Sequence, residues 1–177
     1  MKNGRYLFDT PFSHGRCGIP INGLVWMGTA EEMNLRMEEK IKAGFSCVKL
    51  KIGAIDFESE LSLVKSIRKR FSKDVIGGFS PAEAMDRLEV LARYDIHSIE
   101  QPIRQKQWSE MARLCSMTPL PIALDEELIG VNMKAMKEEL LSVIKPQYIV
   151  LKPTLHGGMR GTEEWVALAR QHGIGSW

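Results

Sequence analysis

Residues 47–53 read CVKLKIG, a segment whose apolar run is typical of a buried parallel strand. Two lysines, Lys49 and Lys51, interrupt that run. Residues two positions apart on a strand lie on the same face, so both ammonium groups are expected on one side of it. A strand that presents paired lysines in this way predicts a polar site beside the sheet.

Short apolar segments alternate with longer amphipathic segments along the chain after residue 20. The first predicted strand is INGLVWMG, and Thr29 is placed to cap a helix in which Met33 and Met37 recur at helical spacing. Ser80 before Pro81 predicts the cap and the first turn of a later helix. The other predicted strands are CVKLKIG, a stunted DVI, SIEQPI, PIALDEEL, YIVLKPTL and GIGSW.

This order of elements predicts right-handed βαβ units and a parallel sheet. A doubly wound sheet is the alternative, but the sequence has neither a glycine-rich loop after the first strand nor a Walker motif. Seven successive predicted strands favour an α/β fold of the (β/α) TIM-barrel type, in which the eighth strand is absent.

The composition is that of an ordinary globular chain, with 44% hydrophobic and 26% charged residues among 177. A net charge of +2, without a basic run interleaved with aromatics, argues against nucleic acid as a partner. No apolar run is long enough to span a bilayer or to form a secretion signal. The three cysteines lack CxxC spacing and indicate reduced thiols. We therefore expect a cytoplasmic protein with neither nucleic acid nor a membrane as a partner, and its oligomeric state is left open.

Five charged residues stand at the ends of predicted strands: Lys49, Lys51, Glu100, Asp125 and Lys152. The active sites of (β/α) barrels lie at this carboxyl end of the strands. Because adjacent strands are about 4.8 Å apart, the two carboxylates are expected to converge on one hard cation. Strands two and six face each other across an eight-stranded ring, which sets Lys152 opposite the paired lysines. Such a site suits removal of a proton next to a carboxylate, with a desolvated lysine as the base.

Each of these residues also has a structural explanation when it is taken alone. A lysine at a strand end, such as Lys152, often extends its ammonium group to solvent. Glu100 and Asp125 are also placed to cap the helices that follow them. His156 lies in a glycine-rich loop and is predicted to be solvated. The elements KxK, EQP, DE and LKP in this order are more specific than any one of them.

The segments that carry these residues resemble the muconate-lactonizing subgroup of the enolase superfamily. They read VKLKIGAIDFESEL, SIEQPIRQKQW, PLPIALDEELIG and QYIVLKPTLHGG, and together with TPFSHGRCGIPINGLVWMG they extend over nearly the whole chain. The resemblance implies Mg²⁺ as the cofactor, with Glu100 and Asp125 as metal ligands. It also implies Lys51 as the general base, Lys49 as a group that binds the substrate carboxylate, and Lys152 as a cation that stabilises the enediolate from the opposite face.

The resemblance further implies a carbon–oxygen lyase of menaquinone biosynthesis, which removes water from 2-succinyl-6-hydroxy-2,4-cyclohexadiene-1-carboxylate. Two alternatives stay open. A cycloisomerase, or an epimerase or racemase of dipeptides or N-acylamino acids, would share both lysine positions. A non-catalytic barrel fragment with a structural or partner-binding use is the alternative from another class.

The chain departs from the subgroup at its third metal ligand, an Asp in an Asp-x-Asn motif at the end of strand three. The sequence contains no Asp-x-Asn, and Asp74 is expected at the start of that strand, the wrong end of the barrel. We therefore expect a missing segment between Ile76 and Gly77. Residues 1–20 are predicted to be a remnant or linker of an α+β capping domain, and residues 21–177 a partial (β/α)7β barrel domain. Most of the capping domain and the last strand are expected to be absent.

Overall fold

The structure, a computed structural model, describes residues 9–53, 55–68, 72–76 and 78–177. Seven parallel strands form one sheet in these residues, and each strand lies beside its neighbour in sequence. The strands are Gly23–Val25 (β1), Cys47–Lys51 (β2), Ser72–Ile76 (β3), Ser98–Glu100 (β4), Ile122–Leu124 (β5), Tyr148–Ile149 (β6) and Gly175–Ser176 (β7). The predicted α/β fold with a parallel sheet is confirmed.

Six α-helices connect the strands: Ala30–Lys42 (α1), Phe57–Arg68 (α2), Pro81–Ala92 (α3), Trp108–Met117 (α4), Lys134–Ile144 (α5) and Gly158–Gln171 (α6). A single turn of 3₁₀-helix, Glu126–Leu128, follows β5. The described residues thus hold one βα unit fewer than the predicted (β/α)7β domain. None of the helices in these ranges has the length and apolar character that a membrane-spanning helix needs.

Helix α1 begins where its capping signal predicts. The Thr29 hydroxyl accepts the backbone N–H of Glu32 at 3.2 Å, and the Glu32 carboxylate accepts the backbone N–H of Thr29 at 2.8 Å. This reciprocal pair is a capping box, which satisfies two amide groups that the first turn leaves open. Met33 and Met37 are buried, as their helical spacing predicts.

The hydrophobic core lies between the sheet and the helices that cover one of its faces. Strand residues of the core alternate with the residues that face the other way, as the burial pattern of β2 shows for Val48 and Leu50. Fully buried members from the strands and helices include Val25, Val48, Leu50, Ile99, Ile122, Leu124, Ile149, Leu88, Met111, Leu114, Leu140, Leu141 and Trp165. Burial of these side chains leaves the opposite face of the sheet for polar residues.

The third strand is longer than the sequence indicates. The prediction of a stunted strand is wrong, because Ser72 and Lys73 extend the strand and all five of its residues pair with β2. The sequence SKDVI is polar and would not by itself predict a strand. Pairing with strands on both sides keeps it extended. Asp74 is the middle residue of β3, with backbone partners Lys49 and Ser98, and not its first residue.

The predicted missing segment ends at Gly77, which lies outside the described residues. Before this point Ile76 pairs with Glu100, and after it Phe79 forms a bridge with Ile103. In both pairs the partner residue lies 24 positions later in the chain, so the register between the two segments is the same before and after Gly77. The missing segment therefore stays a prediction.

A close approach between α6 and the loop after β6 fixes the position of that loop. A Cβ atom at Gly161 would lie 2.0 Å from the carbonyl oxygen of His156. The buried Lys137 Nζ donates to the carbonyl oxygen of Gly161 at 3.0 Å and to the carboxylate of Glu164 at 3.1 Å. The backbone N–H of Lys152 donates to His156 Nδ1 at 3.0 Å, so this packing extends to a candidate site residue.

Gly161→Ala is expected to lower the free energy of unfolding by about 1–3 kcal/mol, because the new methyl group overlaps backbone that cannot move independently. Urea unfolding followed by circular dichroism measures the change. The matched control is Gly18→Ala, since no atom lies within 4 Å of a Cβ built at Gly18. Equal unfolding free energies for the two variants would contradict the packing described here.

Candidate active site at the carboxyl ends of the strands

The five predicted site residues lie along the carboxyl edge of the parallel sheet. Lys49 and Lys51 belong to β2, and Glu100 is the last residue of β4. Asp125 directly follows β5, and Lys152 lies in the loop after β6. Parallel strands place their carboxyl ends on one edge, so residues far apart in sequence meet there.

Four of the five residues form a continuous chain of polar contacts. Lys49 Nζ donates to Glu100 Oε2, and Lys152 Nζ donates to Asp125 Oδ2. The carboxyl groups of Glu100 and Asp125 interact with each other, and each affects the pKa of the other. Both carboxyl side chains are almost fully buried, at 4% and 2% exposed, whereas that of Lys152 is 42% exposed. The order of contacts is therefore lysine, carboxyl, carboxyl, lysine.

This arrangement separates the proton affinities of the two carboxyl groups. Burial, together with the hydrogen bond to Asp125, raises the pKa of Glu100 to about 7, although Lys49 opposes the shift. Burial also acts to raise the pKa of Asp125, but hydrogen bonds from Glu100 and Lys152 and the nearby lysine charges outweigh it and lower that pKa. Two adjacent carboxyl groups thus share one proton near neutral pH, as like charges in a buried pair require.

Lys51 lies apart from this chain of contacts. Its Nζ is 4.3 Å from the centroid of the Trp26 ring, a cation–π contact, and it has no ion pair with the side chains that the structure describes, a set that leaves out residues 67–77. Lys51 lines a cavity of about 350 Å³ together with Met27, Gln101, Arg104 and other residues of the strand ends. The sequence analysis did not identify this contact, although Trp26 lies within the first predicted strand and directly follows the observed strand β1.

His156 is buried, so the prediction of a solvated loop residue is wrong. Its side chain has 0% exposure, because α6 packs on its backbone through Gly161. Burial lowers the pKa of His156, and the charges of Lys152 and Lys137 add to that effect against the charge of Asp125. Nδ1 accepts from the Lys152 backbone, which leaves Nε2 as the protonated nitrogen of the neutral ring.

The oxygen atoms of Glu100 and Asp125 are the groups at this edge suited to a hard divalent cation. Asp125 Oδ1 is buried and has no hydrogen-bond partner in the described part of the chain. A buried acceptor without a partner is costly, and a cation would satisfy it. No cluster of three or more His, Cys, Asp or Glu side chains forms a metal site within the described ranges. The described donors are therefore two carboxylates, a number that suits Mg²⁺ when water and substrate complete its shell.

The parallel fold and its edge of lysines and carboxylates agree with a family comparison. The model of the enolase C-terminal domain-like family matches residues 32–177 of this chain. The chain belongs to this family of α/β proteins.

Particular members of the family are more similar than others. The o-succinylbenzoate synthase of Desulfotalea psychrophila is 51% identical over 177 residues, which cover 96% of this chain and 48% of that protein. The crystal structure of MenC from the same organism superimposes with a TM-score of 0.85 at 47% identity, covering 96% of this chain and 49% of that one. The L-Ala-D/L-Glu epimerase of Bacillus subtilis is 27% identical over 179 residues, covering 89% of this chain and 48% of that protein. The chain spans about half the length of these relatives.

The pKa of Glu100 predicts how stability depends on pH. Since its folded pKa of about 7 exceeds the ordinary value of 4.5, the folded state binds this proton more tightly than the unfolded state. The stability that this proton contributes is present below the unfolded pKa and is lost as pH rises through about 7. Between about pH 5 and pH 8, the wild type should therefore lose up to about 3 kcal/mol of unfolding free energy relative to Glu100→Gln.

Urea unfolding of both proteins in EDTA at several pH values measures this difference. The control variant is Glu139→Gln, which removes an exposed carboxylate of α5 and should follow the wild-type curve. If the unfolding free energies of the wild type and Glu100→Gln change with pH in parallel, the prediction of a raised pKa for Glu100 is wrong.

Proposed function

We propose that this protein catalyses the Mg²⁺-dependent dehydration of 2-succinyl-6-hydroxy-2,4-cyclohexadiene-1-carboxylate to o-succinylbenzoate. The observation that carries the proposal is that the three lysines at the carboxyl ends of the strands have different surroundings. Two lysines pair with two buried carboxyl groups, and Lys51 lies apart beside a cavity. The 51% identity with a protein named o-succinylbenzoate synthase supports this substrate over others.

Lys51 is proposed as the base that takes the proton next to the substrate carboxylate. A base must be neutral when it acts, and a carboxylate partner would hold the ammonium form instead. Lys51 has no such partner among the side chains that the structure describes, which leave out residues 67–77, and its Nζ lies 4.3 Å from the centroid of the Trp26 ring. Its position in the cavity wall lets it reach a bound molecule.

Lys49 and Lys152 are proposed to contribute positive charge on either side of the carboxyl pair. Glu100 and Asp125 would hold Mg²⁺, which supplies positive charge to the substrate carboxylate as the neighbouring proton leaves. Lys49 lies on the same face of β2 as Lys51, so its ammonium group is placed to bind the substrate carboxylate beside the base. Lys152 lies on the opposite side of the carboxyl pair and stabilises the negative charge that develops on the substrate.

The reaction balances without an oxidant or a second substrate. The electron pair of the broken C–H bond forms the new double bond, and the C–O bond to the hydroxyl group breaks. In a syn elimination the proton and the hydroxide leave from one face, so the Lys51 ammonium can return its proton to the departing oxygen as water. The product ring is aromatic, which supplies much of the driving force and lowers the demand on the site.

Epimerisation of a dipeptide is the second candidate, because an L-Ala-D/L-Glu epimerase is 27% identical over most of this chain. That chemistry needs a lysine on each face of the substrate carbon, and we propose Lys51 on β2 and Lys152 after β6 for these roles. The two candidates differ in what happens after the proton is removed. The dehydratase loses hydroxide, whereas the epimerase returns a proton to the other face.

Lys51→Ala should lower kcat for dehydration by about 10²- to 10⁴-fold, the usual contribution of a positioned general base. The measurement is the absorbance of the aromatic product with saturating Mg²⁺. Lys134→Ala is the matched control, because Lys134 is exposed at the start of α5, and its rate should equal that of the wild type.

Incubation of the wild type with L-Ala-L-Glu in D₂O separates the two candidates. NMR reports deuterium at the α-carbon if the epimerase assignment is right. Dehydration without this exchange supports the proposed function, and exchange without dehydration replaces it by epimerisation. A wild type with neither activity would contradict both and leave the non-catalytic alternative.

A further inference from the structure

We propose that the side chains of Gln101 and Glu127 act together as positioning residues that set the separation of Glu100 and Asp125. The inference deepens the proposed function and rests on it, because the two carboxyl groups are the proposed Mg²⁺ ligands. Gln101 borders the cavity that Lys51 lines, but its side-chain amide is engaged by protein partners, and Glu127 lies outside that lining, so neither is assigned a part in the reaction itself. Their effect is exerted through the backbone of the strand ends.

Gln101 links the end of β4 to the segment after β5. Its Oε1 accepts the backbone N–H of Asp125 at 3.3 Å and that of Glu127 at 3.2 Å. Its Nε2 donates to the carbonyl oxygen of Ile103 at 3.0 Å and to Glu127 Oε2 at 3.3 Å. The amide is thus saturated with partners while the residue is only 5% exposed.

Glu127 closes the other side of this network. It is 4% exposed, and its Oε1 accepts the Trp108 indole N–H and the Lys106 backbone N–H, each at 2.8 Å. With Gln101 on Oε2, the carboxylate has three donors and no cationic side chain within hydrogen-bond reach among the described residues. The Gln101–Glu127 pair therefore ties the loop after β4 to the turn after β5.

The backbone of Gln101 shows why this pair is a positioning device. Gln101 has φ of +43°, a left-handed conformation that is unfavourable for a residue with a Cβ. Its backbone N–H still pairs with the carbonyl oxygen of Ala123 on β5 at 2.9 Å. Strained backbone of this kind persists where the surrounding contacts overdetermine it, commonly beside functional groups. The left-handed conformation of Gln101 turns the chain directly after Glu100. The side-chain amide of Gln101 then holds the backbone of Asp125 next to this turn.

Metal ligands need placement within a fraction of an ångström, and the groups that orient them affect affinity strongly. Gln101 is next to Glu100 in sequence and hydrogen-bonds the backbone of Asp125, so it is coupled to both carboxyl groups at once. Gln101 and Glu127 are 26 positions apart in sequence, and only the fold brings their side chains together. The predicted consequence is a Mg²⁺ affinity that depends on an uncharged side chain outside the coordination shell.

The test is a titration of the purified chain with MgCl₂ by calorimetry near neutral pH, without substrate. Gln101→Met conserves length and charge but removes every hydrogen bond of the amide, and it should weaken Mg²⁺ binding by about 10- to 100-fold. Gln171→Met, an exposed position at the end of α6, should change the dissociation constant less than about twofold. A Gln101→Met dissociation constant equal to that of the wild type would overturn the inference.

A double substitution, Gln101→Glu with Glu127→Gln, separates positioning from general stabilisation. It exchanges the amide and the carboxylate, keeps the net charge, and preserves the contacts to Asp125, Lys106 and Trp108, at the cost of the single donor to the carbonyl oxygen of Ile103. The exchanged protein should bind Mg²⁺ within about threefold of the wild type, whereas Glu127→Gln alone should bind it more weakly. Failure of the exchange to recover affinity overturns the inference, and this comparison decides if Gln101→Met does not fold.

The Mg²⁺ titration and the turnover assay test the positioning role and the proposed function separately. A wild type that binds Mg²⁺ but dehydrates no substrate would end the proposed function and leave the positioning role intact. A wild type that binds no Mg²⁺ would overturn the positioning role directly. Thermal midpoints recorded beside each titration detect a variant whose weaker binding comes from partial unfolding.

Discussion

Glu100 and Asp125 are buried side by side, and the arrangement of the surrounding site follows from this contact. Two carboxylates taken out of water repel each other and lose their hydration, so the pair needs nearby positive charge or a shared proton. The site has both, because Lys49 and Lys152 approach from opposite ends and Glu100 holds a proton up to a pKa of about 7. Removal of Lys152 would leave the ionised Asp125 without its directly bonded cation.

The parallel sheet is what brings these four residues together. They come from β2, β4, the end of β5 and the loop after β6. No single local segment of the chain contains all four. Helices on the other face bury the apolar residues of the strands, and this burial, together with the backbone hydrogen bonds between neighbouring strands, holds the strand ends in place. The polar edge therefore depends on hydrophobic packing that lies on the far side of the backbone.

Much of the fold was predictable because local signals agree with the tertiary structure. The capping box of Thr29 and the alternation of apolar segments are properties of neighbouring residues, and the sequence contains them directly. The strand β3 was misjudged because SKDVI is held extended by partners on both sides rather than by its own propensity. The burial of His156 depends on Gly161 of the next helix, and the Gln101–Glu127 pair joins residues 26 positions apart. Contacts of this kind leave no local pattern for sequence reasoning to detect.

The paired lysines of CVKLKIG can now be understood as two residues with different tasks. Lys49 donates to Glu100, whereas the Nζ of Lys51, on the same face, lies beside the Trp26 ring and the cavity. In the proposed reaction this difference matters, since the Lys49 ammonium group is engaged by Glu100, whereas Lys51 lines the cavity and can approach a bound substrate. A single lysine could not both compensate a buried carboxylate and remain free to accept a proton. The strand therefore needs two.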